Sequence, residues 1–248
     1  MDYLLSDAAL KNTTATKDFM ILKWFLKWAT QKGYNPEPAF QSFKPKLKII
    51  DKQIIFLDWE ELMKVYNYPI PTDKTTLIHT RNIFCFCCFT GLRYSDVRNL
   101  KKTNVFENYI QVTTQKTYEL LKIELNKYAK AILEVYKDSH LPDGRIFPVQ
   151  ANQKMNERMK ELGELCGINT PMSIVYYRGS ERIEETLPKW KLLSTHTGRR
   201  TFICNALMLG IAPNIVMKWT GHANYSAMKP YIEIADKAKE DAMNLFNK

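Results

Sequence analysis

Apolar positions recur at helical spacing along most of the chain and alternate strictly in one short stretch, which predicts a mainly α protein with a small β-hairpin, an α+β class. Residues 14–33 read as an amphipathic helix. Thr14 can cap it, Phe19, Leu22, Phe25, Leu26 and Ala29 form its apolar stripe, and Gly33 can end it. Helical spacing is then lost over residues 36–53. It returns after Asp58, where Asp58 and Glu61 stand at the two ends of a capping box. That helix runs to about Tyr66 and is closed by Pro69 and Pro71. A strongly apolar helix follows at 77–90, stopped by Gly91, and a short one at 95–100.

Residues 109–113 and 119–125 carry the alternation, with Ile110, Val112, Leu121, Ile123 and Leu125 on one face. They read as a hairpin turning through Thr114-Gln115-Lys116-Thr117. Helices are expected again at 127–137 and 151–165. The mixed stretch 172–191 can hold another hairpin around Arg178-Gly179-Ser180. Helices at 197–209, 212–219 and 224–235 and a tail helix at 237–246 complete the pattern.

Charge sharpens this picture. The 248 residues carry a formal net charge of +10, which favours a polyanionic partner. Up to Gln53 there are nine Lys and Arg against five Asp and Glu, so the first segment is the more charge-dense. Lys17, Lys23 and Lys27 lie mostly off the apolar stripe of the first helix, where they form either a solvated face or a DNA-facing one. Residues 36–53 contain Pro36, Pro38 and Pro45 together with Lys44, Lys46, Lys48 and Lys52, the composition of a basic linker. Residues 1–50 are therefore expected to form a small basic unit with its linker, and residues 54–248 a larger domain.

No apolar run approaches the ~20 residues of a membrane span, and Asp2, Asp7 and Lys11 interrupt the start where a signal peptide would be apolar. Cys85, Cys87, Cys88, Cys166 and Cys204 do not form two paired Cys-x-x-Cys motifs or one such motif with a histidine pair, so they read as free thiols in a reducing cytoplasm rather than metal ligands.

Four short segments carry candidate chemistry. In Thr90-Gly91-Leu92-Arg93 a glycine breaks the apolar helix and presents an arginine at the next helix start, a place suited to phosphate. Lys116 stands at the hairpin tip, an ordinary polar turn position that can also deliver a mobile point charge. In His196-Thr197-Gly198-Arg199-Arg200 the i, i+3 spacing puts His196 and Arg199 on one helical face. Gly221-His222 is followed nine residues later by Tyr231. Tyr225 also follows the Gly-His turn and reads as a packing residue, as do Tyr94, Tyr176 and Tyr177. His79 and His140 read as structural, and Asp96 as a tether for the helix start at Arg93.

Taken in this order, the segments resemble the tyrosine recombinase, or phage integrase, family, whose ordered residues are Arg, Lys, His-x-x-Arg, His or Trp, then Tyr. The resemblance covers about residues 54–240 as a catalytic domain. More loosely, residues 1–50 resemble the last part of the family's helical, SAM-like core-binding domain. Arg200 departs from the family, many members of which have a second histidine there. The short first segment departs too, and is compatible with a fragment of a longer protein.

The resemblance implies a site-specific DNA recombinase that works through a 3′-phosphotyrosine intermediate to integrate, excise or invert DNA. Tyr231 would be the nucleophile, Arg93 and Arg199 a clamp on the phosphate, Lys116 the general acid, His196 an assistant in proton removal and His222 a hydrogen-bonding partner of the phosphate. Lys17, Lys23, Lys27, Lys44, Lys46 and Lys48 would contact DNA. It implies no cofactor and no metal, double-stranded attachment sites as partners, a homotetramer on two duplexes, no membrane, and a mobile element as the setting. The tail helix, with Ala238, Ala242, Leu245 and Phe246, would dock either on a neighbouring protomer or on its own domain. A non-catalytic DNA-binding protein of the same fold and a type IB topoisomerase are the alternatives.

Overall fold

A computed structural model describes residues 2–116 and 118–244, with side chains as far as 236. It divides into two compact units: residues 1–53 with 171–187, and residues 54–170 with 188–248. The first contains α1 (Asn12–Gln31), and the second contains α2 (Trp59–Asn67), α3 (Thr75–Thr90), α4 (Tyr94–Arg98), α5 (Lys127–Val135), α6 (Asn152–Leu165), α7 (Thr195–Met208), α8 (Pro213–Thr220) and α9 (Lys229–Asn244). Two antiparallel hairpins complete the set. β1 (Tyr109–Thr113) with β2 (Leu120–Glu124) lies in the second unit, and β3 (Pro171–Arg178) with β4 (Glu181–Pro188) lies almost wholly in the first. The mainly helical architecture with small sheets is the one the apolar pattern implies.

In the first unit one asparagine joins three segments. The Asn12 side chain donates to the carbonyls of Lys48 (3.0 Å) and Gly179 (2.8 Å) and accepts from the Gly179 amide (2.7 Å). That use of Asn12 explains why α1 starts two residues before the expected Thr14 cap. Within this unit the expected stripe of α1 is not a buried one. Ala29 is buried, but Leu22 and Phe25 are 50% and 59% exposed, because α1 packs on small neighbours: the turn at Tyr3–Asp7, a short turn near residues 39–43, and β3.

In the second unit α3 is the central element. Its residues 82–90 are buried all round, so it reads as apolar rather than amphipathic, and α7 packs along it. The capping box at the start of α2 forms as expected: Asp58 Oδ1 accepts from the Glu61 amide at 2.8 Å and Glu61 Oε2 from the Asp58 amide at 3.0 Å. Glu61 also forms a buried ion pair with Lys189. The chain before α2 is pinned to α7 by polar side chains, since the Leu57 amide donates to Thr201 Oγ1 (3.0 Å) and its carbonyl accepts from Asn205 Nδ2 (2.9 Å).

β1 and β2 pair from Tyr109 opposite Glu124 to Thr113 opposite Leu120. Ile110, Val112, Leu121 and Ile123 face the core as their alternation predicts. A second apolar cluster of Ile203, Ala206, Leu207, Val216, Met228 and Ala235 joins α7, α8 and α9.

The chain after His222 differs from expectation. A short turn at Tyr225–Ala227 replaces the predicted helix start at 224, and α9 then runs without the break expected near residue 236. Pro230 lies in the first turn of α9, where its missing amide costs nothing. Ala238, Ala242, Leu245 and Phe246 lie outside the residues whose side chains are described. Cys85, Cys87, Cys88 and Cys204 are buried and all five cysteines are free; burial pushes the Cys87 and Cys204 thiols up to about 12. Among the described residues no helix is long and apolar enough to cross a membrane, and no group of three acidic, His or Cys side chains could hold a metal.

Candidate active site

The end of α3 sets the first side chain. Gly91 takes a left-handed conformation (φ 73°), and a Cβ there would come within 2.6 Å of the Phe202 ring. Only glycine therefore lets α3 stop beneath α7 and turn the chain outward. Leu92 is buried by that turn, and Arg93 follows as the residue preceding α4. Its Nη1 is shielded from solvent yet has no hydrogen-bond partner. A guanidinium nitrogen left that way favours an arriving anion.

α7 supplies the next two. Gly198 crosses α3 so closely that a Cβ would lie 2.8 Å from that of Cys87, which lets the helix sink against α3 and buries Arg199 to 3% exposure. Arg199 Nη1 donates to the Gly91 carbonyl at 3.0 Å, Nη2 donates to the Thr220 carbonyl, and Nη2 lies 3.3 Å from His222 Nε2. One guanidinium thus ties together the end of α3, the end of α8 and the Gly-His turn. Burial, then the Arg93 charge, lowers its pKa from the ordinary arginine value, while Asp96 and Tyr231 act in the opposite sense. The guanidinium remains a cation, held in a place where a negative ligand relieves the cost of burying it.

Hydrogen bonding assigns the tautomer of His222. The Thr220 hydroxyl has one proton and donates it to the Val216 carbonyl at 2.6 Å, so it accepts at 2.7 Å from Nδ1–H of His222. The lone pair on Nε2 then faces Arg199. Burial, followed by Arg199 and Arg93, brings the His222 pKa down to about 4, and the imidazole is neutral at pH 7.

His196, one turn before Arg199 in α7, keeps an exposed edge. Its dense surroundings, then the charges of Arg200, Arg199, Arg93 and Lys116, hold its pKa below the ordinary histidine value. Lys116 is exposed at the tip of the β1–β2 turn, and with Arg93 and His196 it lines a polar groove of about 670 Å³. Tyr231 is half-buried in the first turn of α9, packed against the α7–α8–α9 cluster and close enough to Arg199 to act on its charge. Among the expected residues, Arg93, Lys116 and His196 thus share one groove, and Arg199 meets His222 and lies within charge range of Tyr231 and His196.

Two contributors were not singled out for this role. Asp96 was expected to tether the helix start at Arg93. It is instead buried with Oδ1 accepting from the Gln115 amide at 3.1 Å, so it holds the hairpin turn next to Lys116. Its signal was an acid placed three residues after Arg93 in a cationic motif. Thr220 is visible only as a polar residue before Gly-His. Tyr225 does not pack as expected but is 58% exposed, because the turn carrying it rises off the cluster before α9 begins. Tyr94 is buried and its hydroxyl donates to the Gln150 carbonyl at 2.8 Å, and His79 Nδ1 lies 2.9 Å from the Tyr136 hydroxyl.

The six lysines of the first unit do not present alike. Lys17, Lys27, Lys44, Lys46 and Lys48 are exposed. Lys23 instead donates to the carbonyls of Gln41 (2.9 Å) and Phe43 (3.1 Å), an internal use of its ammonium.

Comparison with known proteins bears on this arrangement. Residues 56–238 match the model of the phage integrase family. A tyrosine recombinase from Pseudothermotoga lettingae is 23% identical over 245 residues, which span 95% of this chain and 75% of that one. The crystal structure of XerA recombinase shares the fold with a TM-score of 0.56 at 16% identity, covering all of this chain and 80% of that chain. XerH recombinase bound to its difH substrate gives a TM-score of 0.65 at 14% identity, over 98% of this chain and 68% of that one. The Tn1549 transposon integrase in complex with a circular intermediate DNA gives 0.62 at 15% identity, over 96% and 82%.

Proposed function

We propose a reaction for this chain, which belongs to the phage integrase family and is a tyrosine-type site-specific recombinase: Tyr231 cuts one strand of a DNA duplex by attacking the scissile phosphodiester. The phenolic oxygen bonds to phosphorus, the bond to the 5′ oxygen breaks, and a 3′-phosphotyrosine and a free 5′-hydroxyl result. A 5′-hydroxyl from a partner strand then attacks the phosphotyrosine, releases Tyr231 and restores a phosphodiester, so bond energy is conserved throughout. The observation that supports this most directly is the pair of arginines, one buried and bridging three segments, one with an unpartnered nitrogen, beside a helical tyrosine.

Each side chain has a part in that chemistry. Arg93 and Arg199 face the negative charge that grows on the non-bridging oxygens. His196, whose pKa is held below the ordinary histidine value by burial and then by its cationic neighbours, can take the Tyr231 proton. Lys116 can give a proton to the departing 5′ oxygen. His222 is an acceptor toward Arg199. A phosphate placed there raises its proton affinity and converts Nε2 into a donor to a phosphate oxygen. The two guanidiniums and the lysine supply charge that a metal supplies in other phosphoryl-transfer sites.

By the same reading, residues 1–50 are the end of a core-binding domain that grips the duplex with Lys17, Lys27, Lys44, Lys46 and Lys48, four copies act on two duplexes, and α9 reaches a neighbouring copy. The test uses a nicked suicide duplex drawn from a pool of candidate mobile-element ends, with metal chelated. Wild type should form a covalent adduct stable on a denaturing gel, and Tyr231→Phe should form none. An adduct that survives in Tyr231→Phe overturns the assignment of the nucleophile. Tight binding without any adduct favours a non-catalytic role.

A further inference from the structure

The groove that holds Arg93, Lys116 and His196 does not end at them. It continues along the outer side of α4 to Arg98 and Arg145. No carboxylate lines it among the described residues, although the chain carries 26 of them. Its volume of about 670 Å³ lies in the range that takes a ligand of many atoms, well beyond a lone phosphate group. The chain builds the far end deliberately from two segments. Arg98 projects from the last turn of α4 and forms no ion pair among the described residues. Arg145 is carried beside it by an isolated antiparallel bridge between Lys101 and Arg145 and by the 3.0 Å bond from the Ile146 amide to the Leu100 carbonyl. The charged neighbour of Arg145 is Asp143, at a loose 3.8 Å and three-quarters exposed, a contact that a phosphate readily replaces.

A nucleic-acid strand presents a phosphate at every nucleotide, so a strand lying with one phosphate at Arg93 and Arg199 must place another further along the same groove. We infer that Arg98 and Arg145 form a second phosphate subsite, which holds the backbone phosphodiester adjacent to the scissile one. This rests on the strand-cutting reading above. The two arginines are positioning residues in this scheme: they fix the register of the strand over Tyr231 and touch no reacting atom.

Salt dependence of binding tests the contact without relying on cleavage. Wild type, Arg98→Gln and Arg145→Gln are titrated with a duplex over a range of potassium chloride concentrations. Each variant should lower the slope of log affinity against log salt by about one phosphate's worth, ~0.9, with an unchanged melting temperature showing that it folds. The second arm uses suicide duplexes bearing a neutral methylphosphonate at one phosphate at a time around the nick. At one position next to the scissile phosphate, wild type and both variants should form adduct equally fast; at every other position wild type should be faster. An unchanged salt slope in either variant, or variants slower than wild type on every neutral duplex, overturns the second subsite. Failure of wild type to form adduct on any duplex counts against strand cutting instead, and the salt slopes still decide whether the two arginines contact a phosphate.

Discussion

Arg199 and Lys116 both bring positive charge to His196 under opposite degrees of constraint. Arg199 is buried, and its fork is committed to the carbonyls of Gly91 and Thr220 and to the edge of His222. Lys116 is exposed on a turn that Asp96 helps hold to the domain through its bond to the neighbouring amide. The difference separates two tasks. A clamp that stabilises charge in the transition state works best when its dipoles are already fixed, because nothing then reorganises during reaction. A proton donor to a leaving group has to follow that group, and a flexible lysine can.

The largest expected effect is on the fixed side. Arg199→Lys keeps the charge and loses the fork, so single-turnover adduct formation should fall on the order of 10²–10³-fold, the scale for losing a preorganised donor. The melting temperature should fall with it, since two buried carbonyls lose their partner. Lys116→Ala should cost about 10²-fold or more as a lost general acid, with stability unchanged. A substrate whose 5′ bridging oxygen is replaced by sulfur separates the two regions, because a thiolate leaves without a proton. It should rescue Lys116→Ala and leave Arg199→Lys impaired; equal rescue of both removes the distinction.

Asp96→Ala should slow adduct formation by roughly tenfold through misplacement of the hairpin turn, and cost about 1–3 kcal/mol because the Gln115 amide loses its acceptor. Rescue by the sulfur-bridged substrate, and by Asp96→Asn, which keeps an acceptor oxygen, would mark it as acting through Lys116.

The smallest effect concerns pH. His222 in the folded chain titrates near 4, below its ordinary value of about 6.5. Between those values the unfolded chain holds the proton and the folded chain does not, so stability rises with pH across that window and is lost as pH falls from 6.5 toward 4. His222→Gln should flatten part of that slope in denaturant melts. His196, shifted in the same direction, accounts for a remainder. An unchanged slope would mean that burial beside Arg199 and Arg93 does not hold His222 neutral.

Much of this molecule is legible in local pattern. The alternation of Ile110, Val112, Leu121 and Ile123 marks the hairpin because strand side chains face alternate sides. Asp58 and Glu61 mark the start of α2 because the capping box is made within four residues. Gly91 marks the end of α3 by its backbone freedom. The six candidate residues were found by their order and short motifs. Other features depend on distant neighbours. The apolar stripe of α1 looked like a buried face because spacing does not reveal how much partner surface exists. Residues 171–187 group with the first 53 residues because Asn12 bonds to Gly179, a contact across 167 positions.

The sequence by itself determined the helical class, the hairpin that carries Lys116, the start of α2, the end of α3 and the identities of the candidate site residues. Those depend on interactions within a few residues, which propensity, capping and turn chemistry settle locally. Only the tertiary structure decided that Arg199 is buried as a bridge, that Asp96 holds the hairpin rather than its own helix, which nitrogen of His222 carries the proton, and that Arg98 and Arg145 extend the groove. Each of these depends on burial and on pairing between segments far apart in the chain, and a group's charge, tautomer and reach are set by what the fold places beside it.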